Sequence, residues 1–195
     1  MEKQTIEIRK IKDGLFLERK DEVAIEQDFE IKLQNGEVIY GSCTPSYMEE
    51  MVLGNRYLAG DLTEEEKNCY EVDLVKNSLL EPVEVGEIFQ VAEECFENPG
   101  SLFADTGCAH SCALICKGKV LCQMEDIGRY NALDKVIGYA LMHKILFGEA
   151  YVFDRKNYEP SFLPSISWVT NSGQSQGHVV RLHKQPSGEV HIARN

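Results

Sequence analysis

Within fifteen residues, 108 to 122, the chain places four of its seven cysteines: Cys108, Cys112, Cys116 and Cys122. The first two belong to the run Thr106-Gly107-Cys108-Ala109-His110-Ser111-Cys112. A Thr-Gly pair lets the backbone turn sharply and present amide N–H groups to an anion. A thiol beside such donors, or beside a protonated imidazole, ionises more easily and becomes a nucleophile. The same surroundings stabilise a persulfide anion, the species that carries sulfane sulfur. Cys108 or Cys112 is therefore a candidate sulfur carrier, with His110 handling or orienting a proton. The plainer alternative is a packed loop with two buried thiols, because free cysteine behaves as a small hydrophobe. Cys69 and Cys95 are read in that plainer way.

A metal competes for the same residues. Cys108, His110 and Cys112 share one face of an extended segment, and thiolate with imidazole suits zinc. A fourth ligand is not apparent, and the chain has no Cys-x-x-Cys anywhere. A zinc deaminase needs His-x-Glu followed by Pro-Cys-x-x-Cys, and His110-Ser111-Cys112 supplies neither. Deaminase chemistry is excluded.

A second segment is dense in charge of both signs: Glu125-Asp126-Ile127-Gly128-Arg129-Tyr130-Asn131-Ala132-Leu133-Asp134-Lys135. It joins a strand end to a long helix. A helix N-terminus with Arg129 and Asn131 offers a contact point for phosphate or carboxylate, and Gly128 permits close approach. Glu125 and Asp126 either hold Arg129 or accept from a hydroxyl of a nucleotide-like group. The plainer reading is a capped helix start with a local salt bridge.

The elements that must position these residues follow from spacing. Phe29, Ile31 and Leu33 alternate with polar residues, Asn35-Gly36 turns, and Val38-Ile39-Tyr40 returns as a hairpin. Thr44-Pro45-Ser46-Tyr47-Met48-Glu49 offers a hydroxyl cap and a capping box, which predicts a helix from there to Gly60. Tyr70, Val72 and Leu74 alternate as a strand. Val85 to Phe96 and Leu133 to Ile145 carry helical apolar stripes, the first stopping at Asn98-Pro99-Gly100. Between them, Ala113–Cys116 and Val120–Met124 flank Lys117-Gly118-Lys119 as a second hairpin. Ser165–Thr170 and Val179–Arg194 read as short strands. Glu64-Glu65-Glu66, Glu93-Glu94 and the tail histidines read as solvated.

Composition bounds the function. The 195 residues carry 20 basic and 32 acidic side chains, a net charge of −12, which argues against broad nucleic-acid or anionic-membrane contact. No apolar run is long enough for a bilayer and the first residues show no signal peptide, so a cytoplasmic protein is expected. The acidity is uneven. Residues 1–148 hold 15 basic and 28 acidic groups, whereas 149–195 hold 5 and 4.

The run from Thr106 to Leu114, followed by Glu125-Asp126-x-Gly128-Arg129-x-Asn131-Ala132-x-Asp134-Lys135, resembles the formate dehydrogenase accessory protein family, FdhD. Thr44-Pro45 with Glu49, Gly54 and Leu58 is similar to that family's N-terminal Thr-Pro-x-x-x-Glu helix. The resemblance spans roughly residues 25–146. It implies an α/β fold with a cytidine-deaminase-like core, a mixed sheet with packed helices. It also implies passage of sulfur, as a cysteine persulfide, from a cysteine desulfurase to the molybdenum (or tungsten) bis-pterin guanine dinucleotide cofactor of formate dehydrogenase. In that reading Cys108, Cys112 and His110 are the catalytic set. Thr106, Gly107, Glu125, Asp126, Gly128, Arg129, Asn131, Asp134 and Lys135 contact the cofactor, which is client rather than resident. The partners are the desulfurase and the apo-dehydrogenase, with a homodimer left open and no nucleic acid or membrane.

The departures from the pattern are informative. The family's Cys-x-x-Cys loop has no counterpart between Val75 and Glu87; Cys108 replaces a usual glycine, Cys112 a usual alanine and Tyr130 a usual histidine. The thiols are thus expected to have moved, with Cys108 and Cys112 replacing the loop pair. Two other readings stand beside sulfur transfer: a non-catalytic cofactor or apo-enzyme chaperone, and a zinc-binding regulatory module. Three stretches are expected: 1–80, strand-rich with one helix; 81–148, the core with the motifs; and 149–195. The last lacks the family's Ser-x-Pro-Thr turn and helix, and reads as a divergent cap or a frame-shifted or truncated end.

Overall fold

Two Gly turns set the N-terminal region of the computed structural model, which describes residues 2–72, 85–98, 100–155, 162–167, 180–184 and 190–194. Asp13 and Gly14 both take positive φ, 52° and 78°, as a tight two-residue hairpin turn requires. They join β1 (Lys3–Lys12) to β2 (Leu15–Ala24), antiparallel from Lys3 opposite Ala24 to Lys12 opposite Leu15. This hairpin was not foreseen, although its Asp-Gly turn is a strong signal. Asn35-Gly36 closes the expected hairpin of β3 (Gln27–Lys32) and β4 (Val38–Cys43), with the Asn35 side chain accepting from the Glu37 amide at 2.8 Å.

Helix α1 runs Met48–Leu58, not from Thr44. Thr44 is fully buried and its hydroxyl is engaged elsewhere, while Tyr47 takes a left-handed conformation (φ 55°) just before the first turn. Gly60 (φ 72°) ends the segment as expected. The strand expected at Tyr70–Val72 is absent. Thr63 and Glu66 instead form a reciprocal capping box that starts α2 (Glu64–Cys69), and the chain turns at Tyr70 and Glu71. Glu66 is therefore bonded rather than merely solvated, and Cys69 is exposed rather than packed. Leu74, Trp168 and Val179 lie outside the described residues.

Helix α3 (Val85–Glu97) and the short α4 (Ser101–Thr106) precede the hairpin β5 (His110–Cys116) and β6 (Lys119–Asp126). Helix α5 (Arg129–Met142) then crosses to a single 3-10 turn, Phe147–Glu149, and to β7 (Ala150–Arg155). β8 (Phe162–Ser167), β9 (Val180–Lys184) and β10 (Val190–Arg194) complete one antiparallel sheet in the order β10-β9-β8-β7-β5-β6. The last 47 residues thus contribute four of its six strands.

Period-two alternation divides β5 between two cores. Cys112 and Leu114 face Met124, Val136, Ile137, Ala140 and Leu141, the side covered by α5 and α1. Ala113 and Ile115 face the other way, onto Ile88, Val91, Ala92 and Cys95 of α3 and Tyr151 and Phe153 of β7. The arrangement is a sheet between two helical layers. α1 and α5 meet at glycines: a Cβ on Gly54 would lie 1.9 Å from the Asp134 carbonyl oxygen, and one on Gly138 1.8 Å from that of Glu50.

Candidate functional site

The side chains of the charged motif turn inward. Asp126 ends β6 with no exposed surface, and its Oδ2 accepts from the Thr44 amide (3.0 Å), the Thr44 hydroxyl (3.0 Å) and the Lys135 ammonium (2.6 Å). Its Oδ1 accepts from the Gly128 amide (2.8 Å) and the Asn131 side chain (3.0 Å). Both oxygens are saturated, and the carboxylate caps the start of α5. Lys135, equally buried, also donates to the Thr44 hydroxyl (2.7 Å) and to the carbonyls of Glu125 (3.2 Å) and Thr44 (3.3 Å). Asn131 reaches the Ser42 carbonyl at 2.8 Å. One junction thereby fastens the end of β4, the end of β6 and the first two turns of α5.

Glu125 points the other way and holds α4. Its carboxylate accepts from the Leu102 and Phe103 amides at 2.9 and 2.8 Å. These are orphan donors of a helix first turn, so the charge and the hydrogen bonds act together. Gly100 is required here, since a Cβ would fall 2.0 Å from the Glu125 carboxyl carbon. At the other end of α4, the Thr106 hydroxyl donates to the Leu102 carbonyl (2.6 Å) and accepts from the Cys108 amide (3.1 Å). Gly107 is left-handed (φ 63°) and its amide is taken by the Phe103 carbonyl at 2.8 Å. The Gly107 and Cys108 amides therefore close the loop itself.

The two thiols assigned together part company. Cys108 is exposed on this loop, whereas Cys112 is 1% exposed within the apolar core. His110 opens β5 opposite Asp126, is half-buried, and its Nδ1 is enclosed without a hydrogen-bond partner. Among the described residues, no three His, Cys, Asp or Glu side chains converge as metal ligands. Cys43 is buried at 3.2 Å from the Met48 sulfur, and burial followed by the Asp126 charge pushes its thiol up. Cys122 is pushed to about 12, chiefly by burial. Of the described thiols, only Cys69 and Cys108 are exposed.

Asp134 accepts from the Asn55 amide at 3.0 Å in the α1–α5 seam, and burial lifts its carboxyl to about 6. Arg129 is half-buried at the first position of α5, beside the exposed Tyr130. Sequence reasoning missed Thr44 as a member of the junction. The signal was present as the same Thr-Pro that was read as a cap.

In this α/β protein the Glu-Asp-x-Gly-Arg segment braces the start of α4 through Glu125, and the Thr-Gly loop closes the other end of that helix. The FdhD/NarQ family model matches residues 67–153, and the chain is similar to members of that family. Among its relatives, the protein named sulfur carrier protein FdhD of Geobacillus kaustophilus is 27% identical, over 71% of this chain and 69% of that one. The protein FdhD of Methanocaldococcus jannaschii is 29% identical, over 71% of this chain and 66% of its own length. The fold matches a crystal structure from Desulfotalea psychrophila, described as a formate dehydrogenase accessory protein, with a TM-score of 0.64. That match is 22% identical and covers 80% of this chain and 74% of the other. No helix among the described residues is long and apolar enough to cross a membrane.

Proposed function

We propose that this chain is a sulfur carrier of formate dehydrogenase maturation, with Cys108 as the carrying thiol. The observation that supports it is the pairing of an exposed Cys108 with a loop braced by Thr106 and Glu125, inside the family's matched segment. Cys112, the other member of the pair suggested by the sequence, serves the core. In the transfer step the Cys108 thiolate attacks the terminal sulfur of a persulfide on a cysteine desulfurase. The donor's S–S bond breaks, its thiolate leaves, and a new S–S bond forms on Cys108, with no net oxidation. The molybdenum or tungsten bis-pterin guanine dinucleotide cofactor is the client that receives this sulfur. Glu125, Asp126, Asn131, Asp134 and Lys135 support the client site from beneath. Thr106, Gly107, Gly128 and Arg129 form its accessible side, and His110 orients the proton. A cytidine-deaminase-like core without deaminase chemistry fits the layered sheet and helices.

Mass spectrometry after incubation with a cysteine desulfurase and cysteine tests this. A persulfide on Cys108 that is lost in Cys108→Ser supports the reading, and one confined to Cys69, or none, refutes it. A chaperone without transfer is the second reading, favoured by the burial of Cys112, which leaves Cys108 without the thiol assigned to it. Activity surviving Cys108→Ala in a strain lacking the accessory function would select it.

A further inference from the structure

Helix α5 carries one buried cation, Lys135, beside two buried carboxyls, its own Asp134 and Asp126 at the end of β6. Asp126 takes the lysine at 2.6 Å, and the rest of the ammonium serves Thr44 and the Glu125 carbonyl. Asp134 is left in the α1–α5 seam with no paired cation among the described residues, within reach of the Asp126 charge. The elements packed on it bring no remedy. From α1 come Arg56, already held by Asp61 at 3.1 Å and Glu66 at 2.9 Å, and Glu50, whose backbone meets Gly138. The Tyr57 hydroxyl of α1 and the Cys122 thiol of β6 are both pushed up by burial, and β5 brings the Cys112 thiol.

The neighbour that does bond Asp134 is itself half satisfied. Asn55 Nδ2 donates to Asp134 Oδ2 at 3.0 Å, while Asn55 Oδ1 is buried without a hydrogen-bond partner. Both atoms belong to one planar amide, so the carboxyl that accepts from Nδ2 can also serve Oδ1, provided it carries a proton. An ionised carboxylate only accepts; a carboxylic acid donates as well. The backbones touch at Gly54 and Gly138, so α1 has no room to shift and pair the amide elsewhere.

We propose that Asp134 is held as a carboxylic acid that closes a ring of two hydrogen bonds with Asn55, its O–H donating to Asn55 Oδ1 while Asn55 Nδ2 donates back, so that one proton latches α1 onto α5. When the proton leaves to water, Oδ1 loses its donor and a second negative charge stands near Asp126. Helix α1 then loosens from α5. The latch is separate from sulfur carriage and does not depend on it.

Burial, and after it the Asp126 charge, lift the Asp134 carboxyl to about 6 against the pull of the Asn55 amide. The folded state holds the proton more tightly than the opened one, where the ordinary value is 3.8, so the latch is complete below about pH 4 and lost as pH rises through 6. Deuterium exchange of the α1 amides, corrected for intrinsic rates, should therefore lose about 100-fold in protection between about pH 4 and pH 7. The same amides should be indifferent to pH over that range in Asp134→Asn, which carries a permanent donor. Carbon NMR of the wild type should show the Asp134 carboxyl, assigned by its loss in Asp134→Asn, titrating near 6, with the Asn55 side-chain resonances following it. Infrared difference spectra of wild type minus Asp134→Asn near pH 5 should show one protonated carboxyl, whose band moves in Asn55→Leu. An Asp134 that titrates as an ordinary aspartate would overturn the proposal. So would Asn55 resonances that ignore the titration, a carboxyl band indifferent to Asn55→Leu, or wild-type α1 protection as flat with pH as that of Asp134→Asn.

Discussion

Replacing Lys135 with methionine keeps the aliphatic stem and removes the ammonium from a site with no exposed surface. Asp126 then keeps four neutral donors, from Thr44, Gly128 and Asn131, but loses its only counter-charge at 2.6 Å. The Thr44 and Glu125 carbonyls each lose a donor as well. Breaking a buried pair from one side costs about 3–5 kcal/mol, mostly the desolvation of the charge left behind. For a chain of this size that lowers the melting temperature by about 6–20 °C. Adding Asp126→Asn removes the stranded charge and should recover at least about 1 kcal/mol relative to Lys135→Met alone. Thermal and urea unfolding of the two single variants and the double, followed by circular dichroism, measure both quantities. A loss below about 1 kcal/mol in Lys135→Met, or a double variant no better than the sum of the singles, would refute the account of the junction as a buried ion pair.

Gly54→Ala should destabilise by about 2 kcal/mol in the same unfolding assay. The gain of about 1 kcal/mol in helix propensity is outweighed by a methyl driven into a backbone oxygen 1.9 Å away. Asp134→Asn should leave stability unchanged near pH 4 and raise it by about 2–3 kcal/mol at pH 8. The sign follows from a folded-state carboxyl at about 6 against 3.8 unfolded. The folded protein holds that proton more tightly, so its contribution is full below pH 4 and is lost as pH rises through 6. The new amide also offers a donor to the buried, unpartnered Asn55 Oδ1. Unfolding curves across that range that run parallel for wild type and variant would contradict this. Iodoacetamide should label Cys69 and Cys108 in the native protein and spare Cys43, Cys95 and Cys112 until denaturant is added, read by peptide mass spectrometry.

Where local chemistry and tertiary packing agreed, the sequence was legible. Lys117-Gly118 turns with positive φ at both residues, and the apolar stripe of α5 buries Val136, Ile137, Ala140 and Leu141 as its spacing requires, with Leu133 half-buried at its start. Two failures share one cause. The Thr44 hydroxyl, a good helix cap by pattern, is claimed instead by Asp126 and Lys135, residues 82 and 91 positions away. The alternation at Tyr70–Val72 yields to a helix started by Thr63 and Glu66. Within the site, Asp126, Asn131 and Lys135 were visible as a motif, but spacing alone does not say whether a charged side chain faces a ligand or its own backbone. The division of Cys108 from Cys112 was likewise hidden, since it depends on where β5 begins and which face the helices cover.

That strand has a further consequence. β5 is hydrogen-bonded along both edges, by β6 and β7, and covered on both faces, so its amides should be among the last in the molecule to exchange with deuterium. Cys108 lies two residues before its first position and two after the end of a helix braced at both ends. The thiol is thus tethered between two fixed posts by Gly107, Cys108 and Ala109 alone. A long arm that swings cargo between distant stations needs slack, and three residues supply very little. Under the sulfur carriage proposed for Cys108, donor and client would therefore come in turn to the same spot on the surface of this protein.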